Sequence, residues 1–237
     1  MPRRPAFNGS SRLRRRHLAR RFEILRAAGR EFRARGFFET GMRDIAAASD
    51  LSPANLYNYF RGKHEILFFC QDSALDRLLA ALRKIRRLRV TSAEKLHAMV
   101  VAHLTCVLDE IEGSAAHFLT SALPRTLQDR ILDKRDRYEE GLRQLIAAGV
   151  RSGEFVPCDT ALAARAILGA LNWSVLWFRA DGALSASEIA YGFADYLIRG
   201  LLAKPGTAAT GKSKRAAAHR ARSVEIESEH RQKRGAI

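Results

Sequence analysis

Apolar residues recur three and four positions apart along nearly the whole chain, and no stretch shows the period-two alternation of a half-buried strand. The pattern predicts an all-α protein. Phe22, Leu25, Ala28 and Phe32 give a first helix over residues 20–35, with Gly36 as its stop. Thr40 is an N-cap for a second helix, Asp44 lies near its positive end, and Ile45 and Ala46 face inward. Ser49, Asp50 and Leu51 form a turn. Ser52 caps a third helix with Pro53 at its first position, and Leu56 and Phe60, four apart, anchor it. Arg61 and Gly62 end it, and a fourth helix runs from Lys63 to Arg83 or beyond.

Thr91 with Glu94 reads as a capping box for a helix to about Glu112. A short segment over 115–122 precedes Pro124. A long helix spans 127–151 and stops at Ser152 and Gly153. Asp159 or Thr160 opens a helix through Trp177, broken by Asp181 and Gly182. Ser185 with Glu188 is a second capping box, for a final helix through Leu202, and Pro205 and Gly206 close the folded part.

Charge divides the chain further. Of the net +16, residues 1–30 carry +9 and residues 204–237 carry +6, so the middle is nearly neutral. Basic ends attract a polyanion, and nucleic acid is the commonest; a solvated tail is the other reading of 204–237. The organisation expected is a flexible basic arm over 1–18, where Gly9, Ser10 and Ser11 interrupt helix, a helix-turn-helix domain over 19–65, a helical bundle over 66–203 and a basic disordered tail over 204–237. Cys70, Cys106 and Cys158 are widely spaced, with no CxxC pair, which indicates neither a disulfide framework nor a zinc site and fits a reducing cytoplasm. The most apolar segment, 161–178, contains Arg165 and Asn172 and reads as a buried or interface helix rather than a membrane span. His97, His103 and Cys106 lack a third partner and read as core or surface residues, not metal ligands. No nucleophile elbow, phosphate loop or catalytic carboxylate pair stands out, so the chain is expected to be no enzyme and to need no cofactor.

Residues 40–63 carry the strongest chemistry. A recognition helix needs apolar anchors, short or amide side chains for base edges, and donors for phosphates. Leu56 and Phe60 are the anchors. Pro53, Ala54 and Asn55 lie at the helix start, and Asn55 has the amide that pairs with adenine. Thr40, Tyr57, Tyr59 and Lys63 are phosphate donors, and Arg43 reaches a phosphate or a guanine. Tyr57 and Tyr59 as plain packing residues is the alternative.

The stretch Thr40, Arg43-Asp44-Ile45-Ala46, Ser52, Leu56-Tyr57, Tyr59-Phe60 and Lys63 resembles the TetR family of bacterial one-component repressors over residues 20–67. The resemblance implies backbone contacts from Thr40, Tyr57 and Lys63, and base contacts from Pro53, Ala54 and Asn55 behind the Ser52 cap. Three residues depart from the family pattern: Tyr59 stands where His is commonest, Asp50 where Gly is usual, and Ala54 for a common Gly. The Asp50 position calls for positive φ, which Asp tolerates better than most residues.

The resemblance also implies a ligand pocket and dimerisation through the last two helices. Ala166, Ala170, Trp173 and Trp177 lie along one side of the penultimate helix, and Ile189, Phe193, Tyr196, Leu197 and Gly200 along the last; two helices from each protomer would make a four-helix interface. The alternative is that these stripes close the monomer's own core. Residues 125–155, the run Asn172-Trp173 to Trp177-Phe178, Gly182 and Ser185 resemble the subgroup that answers to acyl-CoA thioesters, which includes regulators of fatty-acid and steroid-ring breakdown. An acyl-CoA would need an apolar slot, for which Phe68, Phe69, Met99, Leu104, Phe118 and Leu119 are candidates, and cations for its phosphates, for which Arg125, Arg130, Lys134 and Arg137 are candidates. A solvated helix face is the other reading of those cations. The expected function is a dimeric repressor on a palindromic operator in double-stranded DNA, released by a small-molecule effector, with no membrane association. A repressor of an efflux or detoxification gene induced by a hydrophobic compound, and a non-specific nucleic-acid-binding protein, are the alternatives.

Overall fold

The computed structural model describes residues 9–108 and 119–203, and the described residues form eight α-helices. They are α1 (Gly9–Arg35), α2 (Met42–Ala48), α3 (Pro53–Tyr57), α4 (Lys63–Arg86), α5 (Ser92–Leu108), α6 (Arg125–Ser152), α7 (Thr160–Trp177) and α8 (Ala186–Arg199). The only pairing outside helices is an antiparallel bridge between Phe155 and Leu202, among the described residues. The 204–237 tail, residues 1–8 and residues 115–118 of the 115–122 segment lie outside the described residues.

The caps account for most boundaries. Gly36 at φ +85° ends α1, and Gly153 at φ +78° ends α6. Ser52 Oγ accepts from Asn55 N, and Pro53 occupies the first helical position. Asp159, not Thr160, caps α7, its carboxylate accepting from Ala161 N and Leu162 N. The Ser185–Glu188 capping box forms as the sequence predicts.

Three expectations fail. The helix break expected at Gly9, Ser10 and Ser11 does not occur: α1 is continuous from Gly9, because the five arginines of 12–20 are good helix formers and the exposed turns bury nothing polar. The N-cap of α2 is Gly41 rather than Thr40. The Gly41 N–H donates to Asp44 Oδ2 at 2.8 Å, and this bond, with Arg35 assisting, holds the Asp44 carboxyl below its usual range. The final helix also stops at Arg199, before the expected Leu202.

A continuous core runs from Ile24, Ile45, Leu56 and Phe60 through Leu67, Leu75 and Leu82 to Leu142, Ile146 and Ile167. The long helix α4 is its spine. It packs on α1 at one end and on α5 and α6 along the rest, and α5 packs on α8, α6 on α7. The α6 turn closes tightly: a Cβ on Gly149 would come within 2.1 Å of the Phe155 ring, so glycine is the residue that lets Phe155 fold back into the core.

Candidate nucleic-acid interface and effector cavity

The helix-turn-helix is built from α2, a turn and α3. Asp50 takes φ +55°, the one positive φ at a non-glycine position among the described residues, as its place in the turn predicts. Leu56 and Phe60 are buried and fix α3 to α1 and α2. The outer surface of α3 and its C-terminal continuation then presents Pro53, Ala54, Asn55, Tyr57 and Asn58, all exposed, beside exposed Arg43 on α2. Short apolar groups, two amides, a phenol and a guanidinium on one face suit base edges and phosphates.

Two expected phosphate donors are spent inside the protein. Thr40 is fully buried, and its hydroxyl donates to Gly36 O at 2.8 Å and Glu31 O at 3.3 Å. Lys63 Nζ donates to Phe37 O and Phe38 O, each at 2.9 Å, and to Thr40 O at 3.2 Å, while lying over the Phe37 ring. Both tie down the loop between α1 and α2. The physical reason is that the carbonyls of Gly36, Phe37, Phe38 and Thr40 lie in the connection after α1, where no helix supplies their hydrogen-bond donors.

Three residues that sequence reasoning missed hold this unit together. Arg20 donates to Ser49 O at 3.0 Å, bracing the turn. The Arg21 guanidinium lies 4.3 Å over both Phe60 and Phe69 and 3.2 Å from Glu65; burial lowers its pKa and Glu65 opposes that. His17 stacks on Tyr59. Phe69, expected in the ligand slot, instead joins Phe22 and Phe60 at the seam between α4 and the helix-turn-helix.

A cavity of about 350 Å³, partly open to the surface, lies between α4, α5, α6 and α7 and is lined by Leu75, Leu78, His103, Arg135, Tyr138, Glu139, Arg165, Leu168, Gly169 and Asn172. The residues expected for the slot sit elsewhere. Met99 and Leu104 are core, Leu119 packs on the core, Phe68 lies under Arg130 at 4.8 Å, and Phe118 is outside the described residues. Of the expected cations, Arg125 pairs with Asp129 and Arg137 with Asp133 on an exposed helix face. Lys134 bridges Asp72 and Asp76 at 2.6 and 2.7 Å; burial would lower its pKa, but the two carboxylates outweigh this and raise it. The positions facing the cavity are one or two residues away on α6: Arg135, Tyr138 and Glu139. Successive residues turn by about 100° around a helix, so cations grouped by sequence alone fall on different faces.

The polar end of the cavity is His103 with Tyr138, Nδ1 to OH at 3.1 Å, both buried. Burial pushes His103 down to about 4, with Asn172 opposing the shift, and drives the Tyr138 phenol up. Both are therefore neutral at physiological pH. Arg135 donates to the buried Gln71 side chain at 3.3 Å, and Arg165 pairs with Glu139 at 3.1 Å on the exposed side. Among the described residues no group of three or more His, Cys, Asp or Glu could hold a metal ion, and no helix is long and apolar enough to cross a membrane.

The last two helices leave a large apolar surface uncovered. Trp173 is 61% exposed, Trp177 45% and Tyr196 74%. Ala166 and Gly200 are exposed, and Ala170, Phe193 and Leu197 are half-buried. Ile189 departs from the expected stripe: it is buried in the protomer's own core. Leu162 and Leu176, at 68% and 50% exposure, extend the α7 stripe and were missed, although both lie at helical spacing from Trp173.

A helix-turn-helix joined by one long helix to a helical bundle is the architecture of a DNA-binding transcriptional regulator. Residues 24–68 match the family described as "Bacterial regulatory proteins, tetR family", and residues 89–201 match the "Tetracyclin repressor-like, C-terminal domain". The protein belongs to the TetR family, and is a DNA-binding transcriptional regulator rather than an enzyme. It is 28% identical over 191 residues to the transcriptional repressor KstR2 of Mycobacterium tuberculosis, covering 77% of this chain and 93% of that one. The solved structure of that ketosteroid transcriptional regulator superposes with a TM-score of 0.70 at 25% identity, covering 78% and 96%. The regulator YfiR of Bacillus subtilis is 31% identical over 150 residues, covering 58% of this chain and 69% of that one. The TetR family regulator PfmR of Thermus thermophilus is 35% identical with a TM-score of 0.69, covering 76% and 99%.

Proposed function

We propose that the protein is a dimeric repressor of lipid or steroid catabolism, released from a palindromic operator by an acyl-CoA thioester. The observation that carries the reading is the α4–α7 cavity: apolar walls from Leu75, Leu78 and Leu168, a neutral polar end at His103 and Tyr138, and guanidinium groups of Arg135 and Arg165 on its lining. An apolar group enters, and cations answer the ligand's phosphates. Its volume is at the small end of the roughly 300–1,000 Å³ range for ligand sites, so it takes the acyl part and leaves the nucleotide outside. The likeness to KstR2 supports the steroid assignment. An efflux regulator for a hydrophobic compound would have less use for two arginines there.

Pairing of the α7–α8 surfaces would set two α3 helices about 34–36 Å apart, the spacing of successive major grooves. Coupling runs along α4. Leu75 and Leu78 line the cavity, and Phe69 and Glu65 of the same helix hold Arg21 and Phe60 of the helix-turn-helix. Leu75 and Phe69 are six residues apart, about 9 Å along a rigid helix. A ligand that displaces α4 therefore displaces the reading heads, and its differential affinity for the two arrangements is the switching free energy.

The test is a thermal-shift series with acyl-CoAs of graded size, with free CoA and the free acids as controls. A thioester at 100 times its dissociation constant adds about 2.7 kcal/mol, worth roughly 5–10 °C in a chain of this size. A rise with thioesters alone supports the reading, and no rise with any of them overturns it.

A further inference from the structure

The helix α1 begins well before the family's DNA-binding domain does. The family match starts at residue 24, whereas the helix is continuous from Gly9. Three contacts fasten its middle turns to the helix-turn-helix: the His17 ring stacks on Tyr59, Arg20 donates to Ser49 O, and Arg21 pairs with Glu65. Tyr59 lies just past the end of α3, so these contacts set the axis of α1 against the reading face. Beyond them Arg12, Leu13, Arg14, Arg15 and Arg16 are all exposed.

Nothing inside the protein neutralises this turn and a half of helix. The sequence holds no carboxylate between Gly9 and Glu23, and Glu23 is taken by Arg20. Among the described residues Arg12, Arg14, Arg15 and Arg16 have no ion pair. Arg12 and Arg16 stand one turn apart, as do Arg16 and Arg20, so like charges repel along the helix. Such a cluster calls for an anion from outside. A bilayer does not suit it: a helix lying on a membrane needs an apolar stripe, and Leu13 has no apolar side chain three or four places away on either side. A duplex held by α3 does suit it. Its backbone carries one negative charge for roughly every 1.7 Å of axis, and Arg12 lies only about 7.5 Å along α1 from His17.

We propose that the N-terminal extension of α1 is a second DNA-binding element, which grips backbone phosphates beside the half-site that α3 reads, and that the His17–Tyr59 stack is its mount. This rests on α3 being the reading head. The extension adds affinity without sequence preference, because guanidinium groups on phosphates fix position and carry no base information. His17 and Tyr59 act as positioning residues: they hold the arginines at the backbone.

The test uses the full chain on two duplexes of equal length, one selected from a random pool and one of random sequence. The hydroxyl-radical footprint on the selected duplex should extend past the base pairs that selection fixes. Replacing Arg12, Arg14, Arg15 and Arg16 by glutamine should remove the outer protection and leave base preference as it was. It should also lower the salt slope on both duplexes by about 0.9 for each phosphate given up. His17→Ala should lose the outer protection with all four arginines in place, and His17→Phe, which keeps a ring, should retain it. His17 is exposed, so neither change disturbs the core. A lowered slope on the random duplex, with no sequence selected from the pool, would uphold the extension as a phosphate binder and sink the reading of an operator by α3. Outer protection and slope that survive the glutamines would overturn the inference, as would an altered base preference, which would make the extension a reader of sequence. A parental footprint in His17→Ala would overturn the mount.

Discussion

His17 stacks on Tyr59, with ring centroids 4.9 Å apart and planes 25° from parallel. The contact fastens the N-terminal turns of α1 to the segment that follows α3. Exposed Arg12, Arg14, Arg15 and Arg16 lie in the helical turns just before it. A basic stretch expected as a flexible arm is thus a helical extension held beside the reading head. Replacing the four arginines by glutamine should flatten the dependence of log K on log salt, by about 0.9 for each phosphate no longer neutralised. An unchanged slope would show that the extension does not touch DNA.

Asn55 and Lys63 should respond differently to truncation. Asn55→Ala removes an exposed amide from α3 and should relax base preference at one position in each half-site, a loss of about 1–3 kcal/mol of discrimination there. Lys63→Ala leaves three loop carbonyls without their donor and should lower stability by about 1–3 kcal/mol in denaturant unfolding. Unaltered stability with uniformly weaker DNA binding would instead mark Lys63 as a phosphate ligand.

Most of the helices were legible in the sequence because their boundaries rest on local chemistry. The Ser52, Ser185 and Asp159 caps and the Gly36 and Gly153 stops need no tertiary information. The positive φ at Asp50 was legible for the same reason. Side-chain destinations were not. Thr40 and Lys63 carry the right groups for phosphate, but which way they turn depends on carbonyls of the connection between α1 and α2. The lining of the α4–α7 cavity was missed because it is a gap between four helices: Leu75, His103, Tyr138 and Asn172 come from four separate elements, and no spacing along the chain brings them together.

The apolar surface around Trp173 should be an interface between two copies. Trp173→Glu with Leu176→Glu places two charges there without touching the protomer's own core, since both residues are at least half exposed. Light scattering should show a dimer for the parent and a monomer for the double variant, with operator affinity falling as two half-sites cease to be bound together. A dimer that survives both substitutions would move the interface elsewhere.

Acid should destabilise the protein through His103. Its pKa is about 4 when folded against 6.5 ordinarily, so between these values the unfolded chain binds more protons and stability falls as pH falls. The loss begins near pH 6.5, is complete below about pH 4, and amounts to at most about 3 kcal/mol. Urea midpoints at pH 7.5 and 5 bracket most of it while keeping above the carboxylate range. His103→Leu should remove this part of the pH dependence. The same dependence in the variant would assign it to another group.

The most direct test of effector-controlled DNA binding is the anisotropy of a labelled palindromic duplex, selected from a random pool, bound by the protein and titrated with the thioester that gives the largest thermal shift. The proposed coupling predicts a 5–150-fold loss of operator affinity at saturating thioester, the range of allosteric free energies of about 1–3 kcal/mol. Operator affinity that stays constant while the thioester saturates the protein would contradict it.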